Sequence, residues 1–251
     1  MRKPKMILFD YGQTLVKEEG FESLAAEEAV LSRAVRNPYG ITAQEILAFD
    51  RELNKEIGRF TKETMDEYKI EVHNHPYQRF LYEYFGLEFK EDPYQIEQLF
   101  WDTAAPGVPT EGIKEVLNYL KEQDIRVGVI SNISFSGEAL RRRLASVLPE
   151  YTFEFILASS EYVFRKPSKF LFQLALRKAL LQAEEVWYCG DNILCDIIGA
   201  SEAGIFPVWY TGANKTGGFD YREDYEASHP EISLCKVEDW YQFIDFLKQV
   251  E

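Results

Sequence analysis

Apolar positions along this chain follow two regimes. Met6-Ile-Leu-Phe9 runs without interruption into Asp10 and a glycine-containing turn. A short apolar run closed by turn chemistry predicts a buried strand. The same signature returns at Ile125–Ile130, Phe153–Ala158, Val186–Cys189 and Ile205–Trp209. Between these runs the apolar period lengthens to that of a helix. Thr110 is placed to cap a helix carrying Ile113, Val116, Leu117 and Leu120 on one face, and further helices are predicted over Gly137–Leu148, Ser168–Leu180, Leu194–Ala203 and Glu238–Val250. Strands alternating with helices predict an α/β fold, a doubly wound parallel sheet with right-handed crossovers.

From about residue 17 to 104 the pattern differs. Helical periods cover Phe21–Arg36, a second helix opening on the Thr42-Ala-Gln-Glu45 capping box and running to about Arg59, Lys62–Val72, Tyr77–Phe85 and Asp92–Trp101, with no convincing strand. Thr103-Ala-Ala-Pro-Gly-Val-Pro109 reads as a Pro/Gly-rich return. The expectation is a core built from residues 1–16 and 105–251, with a helical insert, a cap, at 17–104.

Composition narrows the partners. With 46% hydrophobic and 15% aromatic residues among 251, the chain has enough apolar surface for a real core. A net charge of −14 argues against nucleic acid, which needs a basic footprint, but not against a small anion at a local positive site or a divalent cation. Three cysteines (Cys189, Cys195, Cys235) give an odd count without zinc spacing, the usage of a reduced, cytoplasmic compartment. No segment approaches the ~20 apolar residues that a membrane span requires. The sequence is compatible with a monomer or a homodimer.

The chemistry gathers behind the strands. The first ends in Asp10, the second in Ser131-Asn132, the third in Ser159-Ser160 and the fourth in Gly190-Asp191-Asn192, with Asp196 five residues past Asp191. Each group alone is ordinary turn chemistry. In a parallel sheet, however, all of them open into one crevice beyond the carboxyl ends of the strands. Asp10, Asp191 and Asp196 would repel one another there and call for a cation. Hard carboxylate oxygens suit Mg²⁺, and Lys166 in Arg165-Lys166-Pro167 is the obvious organic cation.

Other features read blandly. His73-Asn-His75 lacks a third metal ligand and reads as a helix end, Arg141-Arg142-Arg143 as a solvated helix face, Gln13 as a turn residue and Cys195 as a small packed residue. Tyr210–Gly218 is glycine-rich but lacks P-loop spacing.

This arrangement resembles the haloacid dehalogenase superfamily of hydrolases, over nearly the whole chain. Its four signatures are similar to Asp10-Tyr-Gly-Gln-Thr-Leu15, Val129-Ile-Ser131-Asn132, Arg165-Lys166-Pro167 and Gly190-Asp191 through Cys195-Asp196. The resemblance implies a Rossmann-like core with a helical cap, and hydrolysis of a small phosphorylated metabolite through an aspartyl-phosphate on Asp10. It implies that Ser131, Asn132 and Lys166 meet the substrate, with Asp10, Ser131 and Lys166 catalytic. Asp10, the Gly12 carbonyl and Asp191 would hold Mg²⁺, with Asp196 as a weaker or outer ligand. One position departs from the pattern. The family's phosphatases carry a second aspartate two residues after the nucleophile, as general acid and base, and Gly12 stands there instead. Three readings remain open at this stage: a phosphatase favouring good leaving groups, a C–halogen or C–P hydrolase on the same scaffold, and a silent phosphate-ligand-binding member.

Overall fold

The structure is a computed structural model and describes residues 2–59, 70–212 and 232–250. The chain begins with β1 (Met6–Phe9) and β2 (Val16–Glu18), then α1 (Ser23–Leu31), β3 (Ala34–Arg36), α2 (Ala43–Glu56), α3 (Asn74–Tyr84), β4 (Glu88–Phe89) and α4 (Pro93–Ala104). It continues with β5 (Gly107–Pro109), α5 (Ile113–Glu122), β6 (Arg126–Ser131), α6 (Gly137–Val147), β7 (Ile156–Ala158) and α7 (Lys169–Ala179). The last elements are β8 (Val186–Gly190), α8 (Gly199–Glu202), β9 (Phe206–Tyr210), β10 (Cys235–Val237) and α9 (Trp240–Gln249).

Six strands form a parallel sheet in the order β10-β9-β8-β1-β6-β7. β1 is uninterrupted in hydrophobicity because helices cover both faces of the sheet. Ile7 and Phe9 pack on one side with Val129, Trp187, Leu140 of α6, Leu117 of α5 and Phe243 of α9. Met6 and Leu8 pack on the other with Ile130, Tyr188 and the Leu171, Phe172 and Ala175 face of α7. From β1 the chain builds outward through β6 and β7, then crosses to build the other half through β8, β9 and β10. The ends of β1, β6 and β8 therefore meet where the winding reverses, the crevice in which open α/β sheets bind ligands.

The elements between β2 and β5 have an apolar centre of their own: Val30, Ile46, Leu81, Tyr82, Leu87 and Ile96. The capping box expected at Thr42 and Glu45 forms, and Asp92 with Gln95 makes another ahead of α4. Two antiparallel ribbons depart from the strand-free reading. β3 pairs with β4, which ends the first helix at Leu31 rather than Arg36, and β2 pairs with β5 where the chain leaves and re-enters the core. These strands have two or three residues each, too few to carry a period of two. The helix expected over Lys62–Val72 falls mostly outside the described residues, and α2 stops at Glu56.

Two polar residues also differ from expectation. Thr110 does not cap α5, whose N-cap is Gly112 in the left-handed region (φ 84°). Its hydroxyl instead donates to the Thr14 carbonyl at 2.6 Å and accepts from Trp240 Nε1 at 3.0 Å, tying the turn after β1 to α9. Arg143 is buried rather than solvated: Nη1 donates to the Ala105 carbonyl at 2.6 Å, Nη2 meets Asp102 at 3.1 Å and the guanidinium lies 4.3 Å from the Trp101 ring centre. Glu18 of β2, which accepts from the Tyr11 hydroxyl and Trp101 Nε1, lies 3.8 Å from the same guanidinium. Both connections to the helical segment are thus gripped by one buried cation. Among the described residues no helix is long and apolar enough to cross a membrane.

Glu27 on α1 offers a test of this packing. Burial, reinforced by Asp50, pushes its carboxyl up to about 8, although the Tyr82 hydroxyl donates to it. The folded state then keeps a proton that the unfolded chain releases near the ordinary ~4.3. This contribution to stability is complete below about pH 4 and is lost as pH rises toward 8. Glu27→Gln lacks the titration, so its stability relative to wild type is expected to improve steadily from pH 5 to pH 8 in urea denaturation. A difference independent of pH would contradict the assignment.

Candidate active site

Asp10 follows β1 directly, its N–H donating to the Cys189 carbonyl of β8 at 2.8 Å. Its Oδ1 accepts from Lys166 Nζ at 2.7 Å. The same ammonium donates to Asp196 Oδ1 at 2.6 Å and to the Tyr188 hydroxyl at 2.7 Å. Lys166 is only 2% exposed, so all three of its N–H donors are satisfied inside the protein. Asn132 fixes the backbone behind it, accepting from the Lys166 N–H at 2.7 Å and donating to its carbonyl at 2.8 Å. The Asn132 side chain, expected to meet substrate, therefore also anchors the lysine.

Asp196 comes from a wide, i→i+5 turn over Ile193–Ile198 that precedes α8. Such π-type turns recur at functional sites. The turn is capped by Asn192, whose Oδ1 accepts from the Cys195 N–H, while the Asn192 N–H donates to Asp196 Oδ2 at 2.9 Å. Gly190 makes the return possible, because a Cβ there would lie 2.4 Å from the Asp196 side chain. Tyr188, a phenol in an otherwise apolar buried strand, completes the cluster. Its own proton faces the Ile130 carbonyl at 3.0 Å and Asp196 Oδ1 at 3.2 Å. The apolar period of the strand does not single out Tyr188. The available signal was the need of a buried phenol for a polar partner.

The electrostatics follow from burial. Asp10 is pushed up to about 7 by loss of solvent, against the pull of Lys166 and with repulsion from Asp196 and Asp191 added. Burial works to lower Lys166, but the carboxylates of Asp10 and Asp196 outweigh it and hold the ammonium above its ordinary value. Tyr188 stays a neutral hydroxyl, raised by burial and by the same carboxylates. Carboxylate oxygens of Asp10, Asp191 and Asp196 lie within 4.8 Å of one another. Three carboxylates against one ammonium leave two negative charges, and an all-oxygen set of this kind fits a hard divalent cation such as Mg²⁺. Asp196 already has both oxygens in hydrogen bonds, to Lys166 Nζ and to the Asn192 N–H, in keeping with a weaker or outer role toward such an ion.

Ser131 ends β6 and is buried beside this cluster's strands, and Gly12 lies two residues past Asp10 with no atom within 4 Å of where a Cβ would stand. Ser159 and Ser160 do not open into the crevice. Ser159 Oγ donates to Glu71 at 2.7 Å and accepts from the Ile133 N–H, and Ser160 Oγ donates to the Phe135 carbonyl. Gln13 turns away, its Nε2 donating to the Glu18 carbonyl at 2.8 Å. His73 caps α3 by accepting from the His75 N–H, as a helix-end residue should, and His75 meets Glu97 at 2.8 Å. Burial pushes the Cys195 thiol up to about 12, so it remains protonated. Most of the glycine-rich stretch from Tyr210 to Gly218 lies outside the described residues.

Comparison with known proteins agrees with the fold. Residues 7–210 match the family described as haloacid dehalogenase-like hydrolase. The chain is 25% identical over 238 residues to the pyrimidine 5'-nucleotidase PynA of Streptococcus pneumoniae, covering 92% of this chain and 94% of that one. It is 24% identical over 239 residues to ribulose-1,5-bisphosphate 5-phosphatase of Halopiger xanaduensis, covering 93% and 97%. The crystal structure of a 2-haloacid dehalogenase from Pseudomonas syringae superposes with a TM-score of 0.62 over 99% of both chains at 21% identity, a likeness of fold.

Removing the Tyr188 hydroxyl leaves one N–H of a buried ammonium without its acceptor. Tyr188→Phe is expected to cost about 1–3 kcal/mol in chemical denaturation. Unchanged stability would mean that the lysine finds another acceptor.

Proposed function

Because the chain belongs to the haloacid dehalogenase-like hydrolase family, we propose that it hydrolyses a small phosphorylated metabolite with Asp10 as nucleophile. The observation that carries this reading is the buried Asp10–Lys166–Asp196 cluster with Asp191 at its edge. Relatives named as a nucleotidase and a sugar-bisphosphate phosphatase, each aligned over more than nine-tenths of both chains, support phosphorus as the centre attacked.

An Asp10 carboxylate oxygen attacks the phosphorus, the P–O bond to the leaving oxygen breaks, and the aspartyl-phosphate so formed is opened by water. Dividing the hydrolysis in this way replaces one difficult step by two easier ones. Lys166 pulls against the protonation that burial favours on Asp10 and holds its Oδ1 in place, which leaves the second oxygen for attack. Ser131, at the end of β6, would donate to a phosphoryl oxygen, and Asn132 keeps the lysine backbone in register. Asp10, Asp191 and the Gly12 carbonyl would hold Mg²⁺, with Asp196 orienting from behind. When bound, the ion supplies positive charge against the phosphoryl oxygens. Residues 17–104 are read as the cap, whose opening and closing admits substrate and excludes water.

Gly12 selects among substrates. Without an aspartate there, the protein has no group at that position to protonate a departing alkoxide, a deficit of ~10²–10⁴ in rate for general acid catalysis. Acyl and aryl phosphates leave without help. Asp191 weighs against the C–halogen reading, since a carboxylate set suited to a metal has no use in a metal-free displacement.

Phosphate release from para-nitrophenyl phosphate and acetyl phosphate is expected to require Mg²⁺, to stop with EDTA and to vanish in Asp10→Asn. Turnover that persists in Asp10→Asn would refute Asp10 as nucleophile. Gly12→Asp, for which the structure has room, is expected to raise turnover of an alkyl phosphate by at least ~10-fold while changing the aryl ester less. Equal effects on both substrates would show that leaving-group protonation is not what Gly12 limits.

A further inference from the structure

We propose that Glu71, on the segment ahead of α3, is a positioning residue for Lys166, so that docking of the cap holds the ammonium on Asp10. The proposal rests on the role given to Lys166 above. Its observation is a carboxylate whose side chain is wholly buried between the helical segment and the core. Burying a charge costs several kcal/mol unless it is paired and hydrogen-bonded. Glu71 meets that cost with groups from the two loops that build the site. Its Oε2 accepts from Arg165, the residue directly before Lys166, and from Ser159 Oγ at 2.7 Å. Ser159 in turn receives the Ile133 N–H at 2.9 Å, one residue past Asn132. The other carboxylate oxygen lies 3.8 Å from Arg59 Nη2.

The backbone repeats the connection. Ile70 bridges to Phe164 in antiparallel fashion, and the Glu71 N–H donates to the Val163 carbonyl at 2.6 Å. Val163 has φ 68°, a region that a β-branched residue adopts only when its surroundings hold it there. The loop carrying Lys166 is therefore gripped on the core side by Asn132 and on the cap side by Glu71. With the second grip released, the loop can relax and draw the ammonium off Asp10.

The test compares wild type, Glu71→Gln, Arg165→Ala and the double variant in the presence of Mg²⁺. One readout is turnover of para-nitrophenyl phosphate. The other is modification of Lys166 by an amine-reactive reagent, followed by peptide mass spectrometry on protein with a cooperative thermal transition. In wild type the buried lysine is expected to resist modification. In each single variant it becomes reactive, and kcat falls by about 10–100-fold, as for small misplacements of catalytic groups, with KM changed much less. The double variant loses no more than the worse single one, because both substitutions break one connection. If Glu71→Gln does not fold, Arg165→Ala carries the same two readouts. Lys166 remaining as protected as in wild type in the folded variants overturns the proposal, whatever the activity. Labelling reads lysine placement without turnover, so a wild type inactive on phosphate esters would count against the phosphatase reading and leave this inference to be decided by Lys166 reactivity.

Discussion

One ammonium group sets the terms for the centre of this protein. Lys166 is almost wholly buried, and such a charge is tolerated only because Asp10, Asp196 and Tyr188 each accept a hydrogen bond from one of its three N–H groups. Removing one partner of a buried pair typically costs about 3–5 kcal/mol, since the survivor is left uncompensated. The acceptors come from three places: the turn after β1, the middle of β8 and the wide turn after β8. Their convergence depends on the parallel winding that brings β1 and β8 side by side. The wide turn and Gly190 are the local devices that fold Asp196 back onto the strand it has just left.

The same burial that makes the pair strong also makes it strained for charge. Loss of solvent lifts Asp10 to about 7 even with Lys166 in contact, and Asp191 and Asp196 add repulsion. A nucleophilic carboxylate needs to be ionised, so the cluster as it stands favours a further positive charge near Asp10 and Asp191. That is the physical link between the acidic cluster and the proposed Mg²⁺.

Buried polar contacts also organise the junction between the helical segment and the core. Arg143 joins β2, through Glu18, to the end of α4, through Asp102 and the Ala105 carbonyl, and Glu97 of α4, fully buried, accepts from the Ser136 N–H at 2.9 Å and hydroxyl at 2.5 Å, from Asn74 and from His75. Glu71 does the same beside the lysine loop. An apolar junction would tolerate sliding, whereas paired charges demand one register to stay satisfied. The segment's docked position is thereby tied to specific core groups, including those that flank Lys166.

The sequence alone determined the parallel α/β core and the cluster of Asp10, Lys166, Asp191 and Asp196. Continuous apolar runs ending in Asp, Ser and Gly are local signals, and a parallel sheet brings strand ends to one edge whatever the details between them. It also carried the Gly12 departure, which needs only the residue's identity. Tertiary structure decided the rest. Tyr188, Glu71 and Arg143 were illegible because a phenol in a strand, a carboxylate in a linker and an arginine in a basic run gain their roles only from partners many residues away. The helix cap assigned to Thr110 and the crevice-facing role of Ser159 failed for the same reason: a hydroxyl takes whichever acceptor the fold brings within 3 Å, and here those were the Thr14 carbonyl and Glu71.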